Sequence, residues 1–434
     1  MGYRPAIGAQ FSFVGIMNNF VSVSSRLRKT VPLISAGALL VSAATSVAED
    51  WPRWRGPGMD GISKESDWLA YWAPGGPKTL WKARVGEGFG SMAVADGRLF
   101  VVGLDKRSRK EFIRCLDAET GKERWQYSYP ARFKPQYYEG GTSGTPTVDG
   151  DTVYFLEQTG RLFSFEAATG RLKWGVEVGK ASGSELGVWG LTGAPLVHGD
   201  LLILNVGSTG AAFNKNTGKL VWKSRSAKNG YATPIPFKQG GRTLVGIFSS
   251  GGLAAVEPKT GNVAWTQPWK TKYDVNAADP VLVNDTHIYI SSGYGSGGAM
   301  LQLTGSGAKV VWQSKELRTQ FNPALYLDGH LYGIDGDTSS NRATLNCIDA
   351  KTGRGKWKSR PLGSGGGVMA ADGKLILLSA RGELSVGKAT PEAFKPTGAK
   401  QVFGGKSWTN PVLANGRIYC RNSRGDLVCV DVRN

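Results

Sequence analysis

Histidine is nearly missing from this chain, which has only His198, His287 and His330 in 434 residues. Each falls in or beside the turn between the first two strands of a repeating unit, a place that points to turn structure rather than catalysis. No HExxH pair, nucleophile elbow or Walker loop occurs, which excludes the metalloprotease, α/β-hydrolase and P-loop chemistries. The glycine-rich stretches 293–298 and 363–367 open no helix, so neither forms a dinucleotide-type phosphate cradle.

Cysteine is equally sparse, with four residues. Cys115, Cys347 and Cys429 each stand two residues before an aspartate, Asp117, Asp349 and Asp431, at one place in three repeats. Equivalent positions in different repeats lie too far apart to bridge. They are therefore read as small buried residues with no disulfide or metal role. A cross-strand Cys420–Cys429 bridge in the last repeat is the alternative.

Acidic residues are in deficit, 34 against 53 basic, for a net charge of +19. Four of the basic residues, Arg4, Arg26, Arg28 and Lys29, belong to a leader that contains no acid, and removing it lowers the net charge to +15. Much of the remaining excess lies in turns such as 105–110. It reads as a solvated basic surface, with attraction to anionic envelope polymers or acidic substrates as the sharper alternative. Without an aromatic and basic stripe, nucleic acid is not an expected partner.

The leader has the build of a secretory signal. Its basic residues precede an apolar run from Val31 to Val41 and the small-residue ending Ser46, Val47, Ala48, so cleavage is expected between Ala48 and Glu49. Nothing before Met17 contributes, which makes Met17 a candidate start. The apolar run is too short to span a bilayer, and no later segment approaches about 18 unbroken apolar residues. The mature protein is expected to be soluble and exported, to the periplasm or beyond.

What the chain has in abundance is a tryptophan repeat. The copies DAETGKERW, EAATGRLKW, NKNTGKLVW, EPKTGNVAW, TGSGAKVVW and DAKTGRGKW end at Trp125, Trp174, Trp222, Trp265, Trp312 and Trp357, spaced 49, 48, 43, 47 and 45 residues apart. That is the period of a four-stranded propeller blade. Each repeat also divides into alternating, β-branched segments separated by Gly and Asp turns. Glycine, at 61 residues, is about twice its usual share, as many tight turns require. The tryptophan falls on the outermost strand, where its ring can cover the neighbouring blade.

A seventh copy around Thr397 and Gly398 carries Phe403 in place of tryptophan. An eighth begins at Asn410 and ends before its outer strand. Residues 78–85, with Trp81 lying 44 residues before Trp125, supply that strand. The expected fold is all-β: an eight-bladed β-propeller of four-stranded antiparallel blades, closed by an N-terminal strand that completes the C-terminal blade, which removes exposed sheet edges. The expected domains are a signal peptide (1–48), a Trp-rich extension packed on the propeller (49–76) and the propeller (77–434).

The Asp/Glu-x-x-Thr-Gly-x-x-x-Trp repeat resembles the tryptophan-docking motif of the pyrroloquinoline quinone (PQQ) repeat family over residues 76–434. The stretch Trp51, Pro52, Arg53, Trp54, Arg55, Gly56, Pro57 is similar to the family's segment before the first propeller strand. Resemblance to the quinoprotein alcohol dehydrogenases implies PQQ held with calcium by Glu, Asn and Asp, a catalytic Asp and often a vicinal disulfide. Here no two cysteines are adjacent, and the long insertions that build the quinone pocket are missing. Resemblance to the BamB-like branch implies a scaffold without chemistry, anchored there by a lipidated N-terminal cysteine. No cysteine precedes Cys115, so no lipid anchor of that kind is expected.

Function is expected in the loops. Those joining successive blades carry Phe133, Tyr137 and Tyr138, then Trp189, Tyr231, Tyr273 with Asp274 and Asn276, Gln320 with Phe321, and Trp408. Such a rim suits a peptide, a glycan or a planar ligand, unless the rings simply fill the channel. Arg381, Arg421 and Arg424 on the second loop set would add anion affinity. The candidate binding-face residues are Tyr138, Trp189, Tyr231, Asn276, Phe321, Arg381, Trp408 and Arg421, and the structural docking residues are the seven tryptophans from Trp81 to Trp357 with Phe403. No metal or catalytic residue is assigned. The reading is an exported, monomeric, non-catalytic binding or scaffolding propeller of the bacterial cell envelope, partnered by an envelope protein or glycan. The alternative is a PQQ-dependent dehydrogenase.

Overall fold

The computed structural model describes residues 48–225 and 228–434, all within one compact unit. The expected signal peptide, except for Ala48, lies outside the described residues. Blade 1 consists of Ala93–Ala95, Arg98–Asp105, Lys110–Asp117 and Glu123–Pro130, paired in chain order. Blades 2 to 7 repeat this pattern from Thr147, Leu196, Ile235, Val281, Leu325 and Gly366. Blade 8 joins the chain's two ends: Thr79–Arg84 pairs antiparallel with Asp426–Asp431, setting Trp81 opposite Cys429. The eight blades and their closure agree with the repeat. A single helix, Val178–Ser182, occurs among the described residues. None of their helices is long and apolar enough to cross a membrane.

The tryptophans tie each blade to the next. The ring Nε1 donates to a backbone carbonyl of the following blade's turn: Trp81 to Ala118 (3.2 Å), Trp125 to Ala167 (3.0 Å), Trp174 to Lys215 (3.2 Å), Trp222 to Pro258 (2.8 Å), Trp312 to Ala350 (3.1 Å) and Trp357 to Thr390 (2.9 Å). The turn glycine makes this close approach possible, since a Cβ on Gly170 would lie 2.5 Å from the Trp125 ring. Trp265 faces the irregular copy TGSGAKVVW and works differently. Its Nε1 donates to Gln239 Oε1 (2.7 Å), and Gln239 Nε2 passes the link to Thr304 O (2.6 Å) and Gly307 O (2.8 Å).

Blade 7 corrects one expectation. Every docking tryptophan sits beside a bulge in its strand. In blade 1, for example, Trp125 faces Cys115 while Glu123 faces Leu116. In blade 7 the matching bulge sets Gly398 opposite Val386 and Pro396 opposite Gly387. Gly398, not Phe403, therefore holds the tryptophan's place, and Phe403 lies beyond the end of the strand at Gln401. The space is taken by Trp72 of the N-terminal extension, whose Cβ would lie 2.6 Å from a Cβ on Gly398. Thr397 Oγ1 donates to Ala70 O (2.8 Å), holding this segment in place.

The start of the extension runs into the propeller axis. Trp51 exchanges two 2.8 Å backbone bonds with Val94, and Val148 N donates to Pro52 O (2.8 Å). Arg55 Nη2 donates to Ala324 O (2.9 Å), and Ile62–Ser63 pairs parallel with Ala370 and Ala371. These partners lie on or beside the innermost strands of blades 1, 2, 6 and 7, which one short segment can reach together only at the axis. Residues 51–63 thus plug one end of the channel.

All four cysteines are free and buried. Cys420 pairs with Val428 and Cys429 with Tyr419, so the two cysteines lie diagonally across neighbouring strands with no bridge between them.

Candidate functional site

At the channel's other end the blades surround a cavity of about 240 Å³. Its walls come from every inter-blade junction except that between blades 6 and 7, supplemented by Tyr294 and Thr338 from second-to-third-strand loops. Trp54 of the plug also lines it.

Six of the lining aromatic residues fall into two contact groups. Tyr138, Phe89, Trp408 and Phe321 make a continuous arc, with ring centroids 5.8, 5.1 and 5.4 Å apart in that order. Trp189 and Tyr231 form an edge-to-face pair at 5.6 Å. These are favourable arrangements of ring quadrupoles. Polar neighbours hold several of the rings: Gln158 Nε2 donates to Tyr138 OH (3.1 Å), Trp408 Nε1 to Ser364 Oγ (3.1 Å) and Gln320 Nε2 to Tyr294 OH (2.9 Å). Burial raises the Tyr138, Tyr231 and Tyr294 phenols above their ordinary range.

One carboxylate lines this space. Asp279, 4% exposed, accepts from Trp54 Nε1 at Oδ2 (2.7 Å) and from Thr233 N at Oδ1 (2.7 Å). Burial pushes its carboxyl up to about 6, against the opposing pull of Arg55 and these two bonds. The Thr233 bond belongs to a partial ring of stitches between blades. Ser91 N likewise donates to Thr145 Oγ1 and Ala194 N to Thr233 Oγ1, both at 3.0 Å.

Tyr138, Trp189, Tyr231, Phe321 and Trp408, named from sequence, all line the cavity. Three other candidates do not. Asn276 is fully buried, donating to Ser249 O (2.8 Å) and Trp269 O (3.0 Å), and serves as a loop brace. Arg381 is exposed and lies away from the cavity. Arg421 was expected on the face, but it is fully buried. Its guanidinium donates to Gly90 O (2.9 Å) and Gly86 O (3.1 Å), and burial lowers it to about 9.

Sequence reasoning missed Trp54, Phe89, Asp279 and the hydroxyl-bearing wall. A usable signal was present. Thr145, Ala194, Thr233, Asp279 and Asn322 each directly precede a proline, and each lines the cavity. The X-Pro step favours extended backbone at the entry to blades 2 to 6, where these five residues stand.

The lining does not fit calcium and PQQ. Among the described residues no three His, Cys, Asp or Glu converge on a metal position. Among the described residues Asp279 is the one acid lining the cavity, and both its oxygens are engaged. The Asn322 amide is committed to Gly366 O and, at 2.9 Å, to Trp408 O. Among the described residues no Lys or Arg lines the space to meet the carboxylates of the quinone.

A family model described as outer membrane protein assembly factor BamB matches residues 66–200 and 109–359. The chain is 27% identical over 308 residues to the outer membrane protein assembly factor BamB of Moranella endobia, covering 65% of this chain and 71% of that protein. Among solved structures, BamB from Moraxella catarrhalis superposes with a TM-score of 0.59 at 18% identity, over 82% of this chain and 99% of that one. The quinohemoprotein alcohol dehydrogenase of Comamonas testosteroni superposes with a TM-score of 0.63 at 14% identity, over 90% and 82%. At these identities the structural matches speak to fold alone.

Proposed function

The chain belongs to the outer membrane protein assembly factor BamB family, and on that basis we propose that it is an exported, non-catalytic binding propeller that assists assembly in the bacterial envelope. The observation carrying this reading is the convergence of aromatic and uncharged polar side chains from six junctions, with Asp279 from a seventh, on one cavity. Rigid sheets hold such loops in fixed relation, which suits recognition. A lone carboxylate, spent on an indole and a backbone N–H, has no second acid or base beside it to run proton transfer. The partner proposed for the loop face is an envelope protein, as the names of the relatives suggest for those proteins.

The test has two arms. Purified protein given PQQ and calcium is assayed for bound quinone absorbance and dye-linked alcohol oxidation. A pull-down from envelope extract compares wild type with a Trp189→Ala, Trp408→Ala double variant. Expected are no turnover and a partner recovered by wild type but not by the variant. Turnover, or equal recovery, would contradict the reading.

A further inference from the structure

We infer that the channel-mouth cavity binds a neutral oligosaccharide, seating one sugar residue inside and extending the chain along the aromatic arc; this rests on reading the loop face as a recognition surface.

Charge selects the ligand class. Among the described residues no basic side chain lines the cavity, so an anionic ligand finds no counter-charge inside it. An organic cation fares little better. Asp279 is already bonded to Trp54 and Thr233 and opposed by Arg55. At the rim, Lys406 lies 4.3 Å from the Trp408 ring centre and Lys272 lies 5.2 Å from that of Tyr273, so both rings already have a cation partner, and Lys406 is itself paired with Glu139 Oε2 (2.9 Å), which leaves it little charge to offer an anion. A neutral molecule remains.

The surface chemistry narrows it further. A sugar ring offers C–H faces bearing slight positive charge and an equator of hydroxyls. The first matches the negative faces of aromatic rings, which are supplied here by a contact chain from Tyr138 through Phe89 and Trp408 to Phe321, the middle pair stacked and the outer pairs tilted. The second needs short, neutral donors and acceptors, and Ser91, Thr145, Thr192, Gln320 and Thr338 supply them around the same space. Asp279 can still accept from a ligand hydroxyl, since each carboxylate oxygen has two lone pairs. At about 240 Å³ the cavity has room for about eight waters, which suits one ring-sized residue with the next at the mouth. The hydrogen bonds holding Tyr138 and Trp408 fix those rings beforehand, reducing the ordering cost on binding.

Full-length mature protein is titrated with chitohexaose, cellohexaose, maltohexaose and a β-1,3-glucan hexasaccharide, and binding is followed by calorimetry and tryptophan fluorescence. Choline and PQQ serve as charged comparisons. At least one hexasaccharide is expected to saturate one site. Trp408→Ala and Asp279→Asn should each weaken it roughly tenfold or more. Tyr138→Ala, on a surface loop, repeats the test should either of those variants unfold. Val311→Ala, exposed on the outer strand of blade 5 and away from the cavity, should leave binding unchanged. The inference is overturned if no hexasaccharide binds, if binding survives these substitutions, or if choline or PQQ binds in its place. Failure here with partner recovery intact would remove the sugar and leave the scaffold reading standing; loss of both would remove the face.

Discussion

Trp54 Nε1 donates to Asp279 Oδ2 across 2.7 Å, joining the N-terminal plug to the fifth blade at the floor of the cavity. The two residues are 225 positions apart in sequence. This bond makes the extension part of the site, so the cavity is built in part by the segment that precedes the ring-closing strand Thr79–Arg84. It also places a titratable group where folding and binding both feel its charge.

Asp279 should give stability a distinct pH dependence. Its carboxyl titrates near 6 when folded, against about 4 in an unfolded chain. The folded state therefore holds this proton more tightly. The group's contribution is fully present below about pH 4 and is lost as pH rises through about 6. Denaturant unfolding of wild type relative to Asp279→Asn should show that difference falling by at most about 3 kcal/mol between about pH 4 and pH 7. A flat difference would show that Asp279 titrates normally.

Between blades 1 and 2 lies a second buried acid cluster. Burial first, and the neighbouring Glu157 second, push Glu111 up to about 7. Arg161 Nε lies 3.2 Å from Glu157 Oε2, and its guanidinium sits 4.5 Å from the Tyr129 ring centre. Glu111→Gln should stabilise the protein by about 2 kcal/mol at about pH 8.5 and have little effect near pH 5. Arg161→Ala leaves Glu157 buried and uncompensated, and should cost about 3–5 kcal/mol. Chemical denaturation at the two pH values measures both.

The turn glycines separate backbone strain from ring contact. Gly150 (φ +56°) has open space where a Cβ would go, whereas Gly170 (φ +74°) has the Trp125 ring 2.5 Å from that point. Gly150→Ala should cost about 1 kcal/mol, the penalty of a left-handed backbone. Gly170→Ala should cost that and a further 1–3 kcal/mol or so for displacing the indole. Equal melting temperatures would deny the ring contact.

Trp72 stands in for blade 7's missing tryptophan. Trp72→Ala should cost about 3–5 kcal/mol through lost burial and the cavity left against Gly398. Tyr71→Ala beside it, 71% exposed, should change little. Thermal melts of the two variants make the comparison.

Much of the ring was legible because its joints are repeated. The Thr-Gly turn and the tryptophan four residues later recur at blade intervals, and Trp81 revealed the strand that closes the circle. The Phe403 reading failed because a bulge decides which residue of the outer strand faces the next blade, and spacing alone does not show where that bulge falls. Arg421 looked like a surface cation from its type. It is buried because Gly86 and Gly90 bring backbone carbonyls against its guanidinium. The cavity's aromatic rim was visible as unusual loop content. Its floor was hidden, since the pairing of Trp54 with Asp279 arises only when the extension enters the channel.

The central claim, that partners meet this protein at the channel mouth, is tested most directly by site-specific photo-crosslinking in the native envelope. A crosslinker replaces Tyr137, which is 87% exposed on the rim loop, or Val311, which is 48% exposed on the outer strand of blade 5. The account predicts a discrete adduct through position 137, abolished by Trp189→Ala with Trp408→Ala, and none through position 311. Adducts through 311 alone would contradict it.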